Sequence, residues 1–244
     1  MQFILGPGHG YPALQANLFL DGDLYEHYPE ATSNLHGIEY VCKSFSWPYG
    51  FPSHVSPMTP EALSEGGELG YALATAYGAA LGKPDKFVAV LIGDGELETA
   101  TALASFNLNR LLDSDKNGHV LPILHLNGYK ISAPTIYGRC SERELLQLFR
   151  GFGYDPRVVD GTSNEDFQLA LSELKPNTMI ILKTPKGYTG PMELDGVKIE
   201  GNCAAHQVPL PFAKTDERQL RILEDWLKSY NFKELYSEFA HENR

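Results

Sequence analysis

Apolar residues along this chain fall into two patterns. Short unbroken runs occur at Phe87-Val88-Ala89-Val90-Leu91-Ile92, at Leu121-Pro122-Ile123-Leu124-His125-Leu126 and from Thr178 to Thr184, with shorter ones from Gln2 to Leu5 and from Tyr154 to Asp160. Runs of this length, rich in β-branched residues, predict buried strands. Between them lie segments with apolar residues every three to four positions: Tyr11 to Leu20, Leu69 to Leu81 and Asn164 to Leu174, with a long amphipathic stretch after Glu96. Ser141 heads another, with Glu142 and Glu144 in its first turn and Leu145, Leu146, Leu148 and Phe149 behind them. Ser at a helix start accepts backbone N–H bonds, and acidic residues suit the first turn.

Strand and helix alternate, which predicts an α/β fold: a mostly parallel sheet flanked by helices on both faces. The length of 244 residues fits one domain over 1–244. Residues 24–60 and 185–213 read as long loops of the kind that cover a functional site. Residues 216–240 read as C-terminal helices, the first with Leu220, Leu223, Trp226 and Leu227 on one face and the second from Phe232 to Phe239. Gly70 and Gly78 interrupt an otherwise helical stretch and predict close packing there, and Gly82-Lys83-Pro84 ends it. The strand at Gln2 to Leu5 reads as central, which suggests that upstream sequence or another chain completes the domain.

Composition narrows the partners. The net charge of −11, without a basic run, argues against nucleic acid and anionic membrane surfaces. The opening apolar run is too short for a signal peptide, and no stretch is long enough for a membrane span. Cys42, Cys140 and Cys203 are odd in number and widely spaced, so no disulfide framework is expected and a reducing, cytoplasmic setting is favoured. All three are expected to be buried. His125, inside a strand, reads as a core residue, while His119 and His241 read as solvent-exposed.

The candidate chemistry sits in 87–129, a strand–turn–helix–strand unit. Asp94, in Gly93-Asp94-Gly95-Glu96, and Asn127 fall at the carboxyl ends of two parallel strands, where open α/β sheets bind ligands. A carboxylate, an amide oxygen and a backbone carbonyl just past Asn127 are hard oxygen donors suited to Mg²⁺, which completes its shell with phosphate oxygens and water. Gly93 and Gly95 leave room for a diphosphate against the backbone, and a helix starting near Glu96 would aim its N-terminal amides at it. A lone Gly-Asp-Gly is more often a strand-end turn, and the matching Asn127 brings the two readings level. No GxxxxGK[ST], no GxGxxG after a strand and no HExxH is present.

Gly-Asp-Gly followed by Asn after a helix resembles the diphosphate motif of thiamine diphosphate enzymes. The wider wording resembles the phosphoketolases: Gly6-Pro7-Gly8-His9-Gly10, Pro52-Ser53-His54, Glu65-Gly66-Gly67-Glu68-Leu69-Gly70-Tyr71, Gly93 to Thr99, Leu121 to Lys130, Thr184-Pro185-Lys186-Gly187 and His206-Gln207-Val208-Pro209. The resemblance implies the diphosphate domain of a thiamine diphosphate-binding fold. It implies Mg²⁺ on Asp94, Asn127 and the backbone carbonyl of Tyr129, and cofactor contacts at Gly67, Gly93, Asp94, Gly95, Glu96 and Asn127. For Glu96 a role at the helix start is an equal alternative. It further implies that His9, His54 and His206 line a substrate channel and assist proton transfers and the loss of water, and that Lys186 is a catalytic, active-site lysine.

The activity implied is cleavage of a ketose phosphate, such as xylulose 5-phosphate or fructose 6-phosphate, with inorganic phosphate to give acetyl phosphate and an aldose phosphate. Such a site needs a second, pyrimidine-binding domain, here a partner chain or missing C-terminal domains, in a homo-oligomer. The chain alone is expected to be inactive. Two departures from the family pattern stand out: Ala100-Thr101 and Phe106-Asn107 replace Gly-Pro and Trp-His, and the connection between Tyr154 and Met179 is shortened. A competing reading is therefore a non-catalytic module that holds Mg²⁺-diphosphate, or acts through partner contacts.

Overall fold

The computed structural model describes residues 1–60 and 62–231. The helix expected from Phe232 to Phe239, the tail and His241 lie outside the described residues.

Five parallel strands form the sheet: β1 (Gln2–Leu5), β2 (Phe87–Gly93), β3 (His119–Leu126), β4 (Asp155–Asp160) and β5 (Thr178–Lys183), in the spatial order β1-β2-β3-β5-β4. Side chains alternate along each strand, and the two faces pack against different helices. On one face Val88, Val90, Ile92, Val120, Leu124, Met179 and Ile181 join one core with residues of α4 (Ala72–Ala80) and α6 (Glu142–Gly151). On the other face Leu121, Ile123, Val159 and Ile180 pack with Phe167 and Ala170 of α7 (Asn164–Ser172). A third cluster joins Leu5 to Tyr11, Leu18 and Phe19 of α1 (Tyr11–Asp21). The expected α/β fold with both faces covered is present.

Several expectations change in detail. β1 is an edge strand paired with β2, not a central one. Segment 24–60 is not a loop throughout: it includes most of α2 (Asp23–His27) and all of α3 (Leu35–Ser44), the latter capped by the Asn34 side chain. Segment 185–213 holds a small hairpin, β6 (Glu193–Leu194) with β7 (Val197–Lys198), and a 3-10 turn at Cys203–His206. The long helix expected after Glu96 is instead a 3-10 turn, Glu96–Glu98, then α5 (Ala100–Ser105) and a further 3-10 stretch, Phe106–Leu111. Thr99 accepts from Ala102 N–H and starts the helix three residues late.

Glycine explains the delayed start of α4. Gly70 has φ +109°, and a Cβ there would lie 2.3 Å from Thr99 Oγ1, so the chain must turn before the helix begins. Gly78 has open space where a Cβ would sit, so close packing within this chain does not account for it.

The capping box at Ser141 and Glu144 forms as expected. α8 (Glu217–Ser229) forms, capped by Asp216, but Leu220 and Leu227 of its apolar face are 50% and 49% exposed. None of the three cysteines is fully buried. His119 is partly buried, stacks on Phe87 and has its Nε2 enclosed without a partner among the described residues. No helix of the described residues is long and apolar enough to cross a membrane.

Candidate functional site

Parallel pairing of β2 with β3 places Gly93 opposite His125, and the Asp94 N–H continues the ladder to the His125 carbonyl at 3.2 Å. Asp94 and Asn127 therefore leave neighbouring strands at the same rim. The Asp94 side chain is 1% exposed. Its Oδ2 accepts from Gly128 N–H at 2.7 Å and from the Thr135 hydroxyl at 2.9 Å, and Oδ1 receives neither bond. Asn127 Oδ1 accepts from Tyr129 N–H at 3.0 Å, a local turn that aims the segment past β3. Thr135 N–H donates to the Gly128 carbonyl, closing the loop on itself.

Glu96 is 2% exposed and turned inward: Oε1 accepts from Gly70 N–H at 3.1 Å and Oε2 from Gly93 N–H at 3.2 Å. Gly6 makes this possible, since a Cβ there would lie 2.3 Å from Glu96 Oε2. Burial pushes the Glu96 carboxyl above its ordinary value, and the two amide bonds oppose that rise. Beside it Glu98 takes Lys130 Nζ at 2.6 Å and Ile136 N–H at 2.7 Å. The amide environment proposed at a helix start near Glu96 is thus a 3-10 turn pinned by carboxylates. A Cβ on Gly93 would make ordinary contacts only, the nearest to Pro7 Cβ at 3.7 Å. Packing within this chain does not demand glycine at 93, and the rim above it has room. At Gly95 the Lys130 Cγ would lie 3.3 Å from a Cβ.

Three loops meet above this rim. Val55 N–H donates to the Gly8 carbonyl, and Gly66 N–H donates to the Val55 carbonyl. Gly8 and Gly66 touch backbone to backbone, since a Cβ on Gly8 would lie 2.1 Å from Gly66 O. That contact ties the segments of His9, His54 and Gly67 together. Gly67 N–H donates to Glu65 Oε1 at 2.7 Å. The rings of His9 and His206 meet edge to face at 5.3 Å between centroids. His54 is exposed, with Nδ1 3.0 Å from Ser53 Oγ. Lys186, half-buried, donates to the Tyr129 carbonyl at 2.8 Å and the Lys130 carbonyl at 3.3 Å.

Burial and neighbouring cations set the protonation of the group. Burial lowers the His9 pKa, helped by the positive fields of His206, Lys186 and His54. Burial and Lys186 lower that of His206. Lys186 is itself lowered by burial, while Asp94 and Cys203 pull the other way. The imidazoles are accordingly neutral near neutral pH, able to accept a proton at one nitrogen and donate at the other.

All the residues singled out in sequence lie at this rim or in the loops above it, though Glu96 faces inward. Sequence reasoning missed Thr135, whose hydroxyl reaches Asp94, and Glu98, which holds the Lys130 loop. It also set His125 aside, yet this imidazole lies in the field of both Asp94 and Lys186, with burial lowering its pKa. The pairing of Gly93 with the residue two before Asn127 was the available signal for His125. The sequence carries no signal for Thr135. A crevice of about 650 Å³ opens on the far side of Asn127, between the ends of β3, β5 and β4, with Cys140, Asp160 and Thr184 on its walls.

The donor set fits Mg²⁺ on two grounds. Its oxygens are hard, and a cation, the Lys186 ammonium, already sits on the Tyr129 carbonyl. Among the described residues no cluster of three or more His, Cys, Asp or Glu could hold a metal.

The family model described as the XFP N-terminal domain matches residues 1–176 and 168–243. A Rhodopseudomonas palustris protein named "Probable phosphoketolase" is 46% identical over 97% of this chain and 33% of its own length. One from Streptomyces avermitilis is 46% identical over 96% of this chain and 32% of its own. The chain therefore spans about a third of the length of the curated relatives it matches. Among solved structures, Leishmania mexicana transketolase aligns with a TM-score of 0.65 at 21% identity, over 98% of this chain and 38% of that one. Campylobacter jejuni transketolase gives 0.65 at 21% identity, over 89% and 34%.

Proposed function

From the premise that this chain belongs to the phosphoketolase family, as its N-terminal domain, we propose that it is the diphosphate-holding part of a thiamine diphosphate phosphoketolase. The observation that carries this reading is the placement of Asp94 and Asn127 at adjacent strand ends beneath His9, His206 and Lys186. Asp94, Asn127 and the Tyr129 carbonyl would hold Mg²⁺. Gly93, Gly95 and Gly67 would present backbone without a side chain to the diphosphate, the Gly93 N–H held by Glu96 and the Gly67 N–H by Glu65. Glu96 would act by fixing Gly93 and Gly70 in place. When bound, thiamine diphosphate supplies the electron sink that lets a carbon–carbon bond next to a carbonyl break.

This chain's residues would do the rest. The neutral imidazoles of His9 and His206 take and return protons at the substrate's hydroxyl groups, and His54, at the exposed mouth, joins them. Lys186 supplies positive charge for the sugar phosphate and inorganic phosphate, substrates that leave as an aldose phosphate, acetyl phosphate and one water. A pyrimidine-binding domain, from a partner chain or from C-terminal sequence, would close the other side of the site within a homo-oligomer. Ile131 and Ile136, 62% and 61% exposed beside the Tyr129 loop, support such a cover.

The test is acetyl phosphate formation from xylulose 5-phosphate by this chain, with and without a polypeptide carrying the remaining family domains. Product only with both supports the reading. Cofactor binding without product, even with the partner, would favour the non-catalytic module.

A further inference from the structure

Lys186 holds the backbone oxygen that the metal would need. Its Nζ lies 2.8 Å from the Tyr129 carbonyl oxygen and 3.3 Å from that of Lys130, with Asp94 close enough to favour the charged amine. A half-buried ammonium needs oxygen partners, and the same hard oxygens suit a small divalent cation. Two cations sharing one carbonyl repel, so occupancy is exclusive or nearly so. The backbone extends the consequence. The Lys186 carbonyl accepts from Gly201 N–H at 2.7 Å, and Asn202 caps the turn that ends in His206. The segment that carries His206 is therefore bonded to the backbone from which the Lys186 side chain extends.

We propose, resting on the metal-site reading above, that Lys186 is a tethered placeholder cation. In the cofactor-free chain its ammonium keeps the Tyr129 loop in its binding shape. Mg²⁺ with diphosphate then takes the Tyr129 carbonyl and releases Lys186 toward His9 and His206. Loading of the cofactor would thereby set the substrate-facing group in place, so that sugar phosphate meets a complete site only after the metal is seated.

Two measurements on the full chain test this. The first is a Mn²⁺ titration with saturating thiamine diphosphate, read as loss of the free-ion paramagnetic resonance signal. The proteins are wild type, Lys186→Met, Lys186→Arg and Asp94→Asn, each checked for folding by circular dichroism. Lys186→Met is expected to bind Mn²⁺ at least tenfold more tightly, whereas Lys186→Arg, which keeps a cation there, is not. The second is pulsed acetylation of wild type read by mass spectrometry. Lys186 should react slowly relative to exposed Lys43 without metal, and several-fold faster once Mg²⁺ and thiamine diphosphate saturate.

Unchanged or weaker binding by Lys186→Met overturns the placeholder, as does Lys186 acetylation that is fast before metal is added. If Asp94→Asn abolishes binding while Lys186→Met fails to tighten it, the placeholder alone falls. If binding survives Asp94→Asn, the metal-site reading falls and takes the placeholder with it. Absence of binding in both wild type and Lys186→Met also overturns the placeholder.

Discussion

At the Asp94 rim, Asp94, Glu96 and Glu98 each accept two hydrogen bonds from this chain, and the first two are almost wholly buried. At the mouth above it, His54 is exposed and bonds its neighbour Ser53, while His9 meets His206 through ring edges. The rim is prebuilt: backbone amides from β2, the Tyr129 loop and the turn before α4 are spoken for before any ligand arrives. The mouth is assembled by contacts between loops, with His54 on its exposed side. On the proposed reading, in which this chain supplies one wall of a shared site, the buried half is finished and the other half is left to the missing domain.

The largest expected effect lies in the rim. Glu96→Ala strands the Gly70 and Gly93 amides in a buried place, at about 1–3 kcal/mol each. Denaturant titration should show a loss of that size, and a loss under about 0.5 kcal/mol would mean that the rim is no better bonded than the mouth. A pH series sharpens the same point. The Glu96 pKa is raised above its ordinary 4.5, so its contribution is full below that value and declines as pH rises through the raised one. Glu96→Gln should flatten that decline.

For the mouth the sign reverses. His9 and His206 have lowered pKa values, so their contribution is present above the ordinary imidazole value and is lost as pH falls through the lowered ones. Amide exchange in 6–10 and 203–206, corrected for its intrinsic slowing at lower pH, should accelerate on mild acidification while β2 and β3 stay protected, and less so in His9→Asn. Equal acceleration in β2 would erase the distinction between the regions. The smallest effect is expected at α8, where Leu220→Ser should change stability by no more than about 0.5 kcal/mol because the side chain is half-exposed already.

The sheet was legible because its strands are buried on both faces and so read as continuous apolar runs. Asp94 and Asn127 were legible because strand ends fix which residues share a rim. What escaped was mostly set by tertiary contact. Thr135 reaches Asp94 across 41 positions of sequence. The helix after Glu96 starts late because Thr99, in extended conformation, caps it through its hydroxyl, and its later course in 3-10 form follows no periodic signal. α2 and α3 were read as loop because Pro and aromatic residues around them masked their short apolar faces. The apolar face of α8 was legible as a face, yet amphipathicity states only that a face seeks cover, not that this chain provides it.

Calorimetric titration of thiamine diphosphate with Mg²⁺ into this chain and into its Asp94→Ala variant tests the central claim most directly. Metal-dependent binding by the wild type, lost by at least about a hundredfold when the charged oxygen ligand is removed, is the expected result. Equal affinity in both proteins would contradict it.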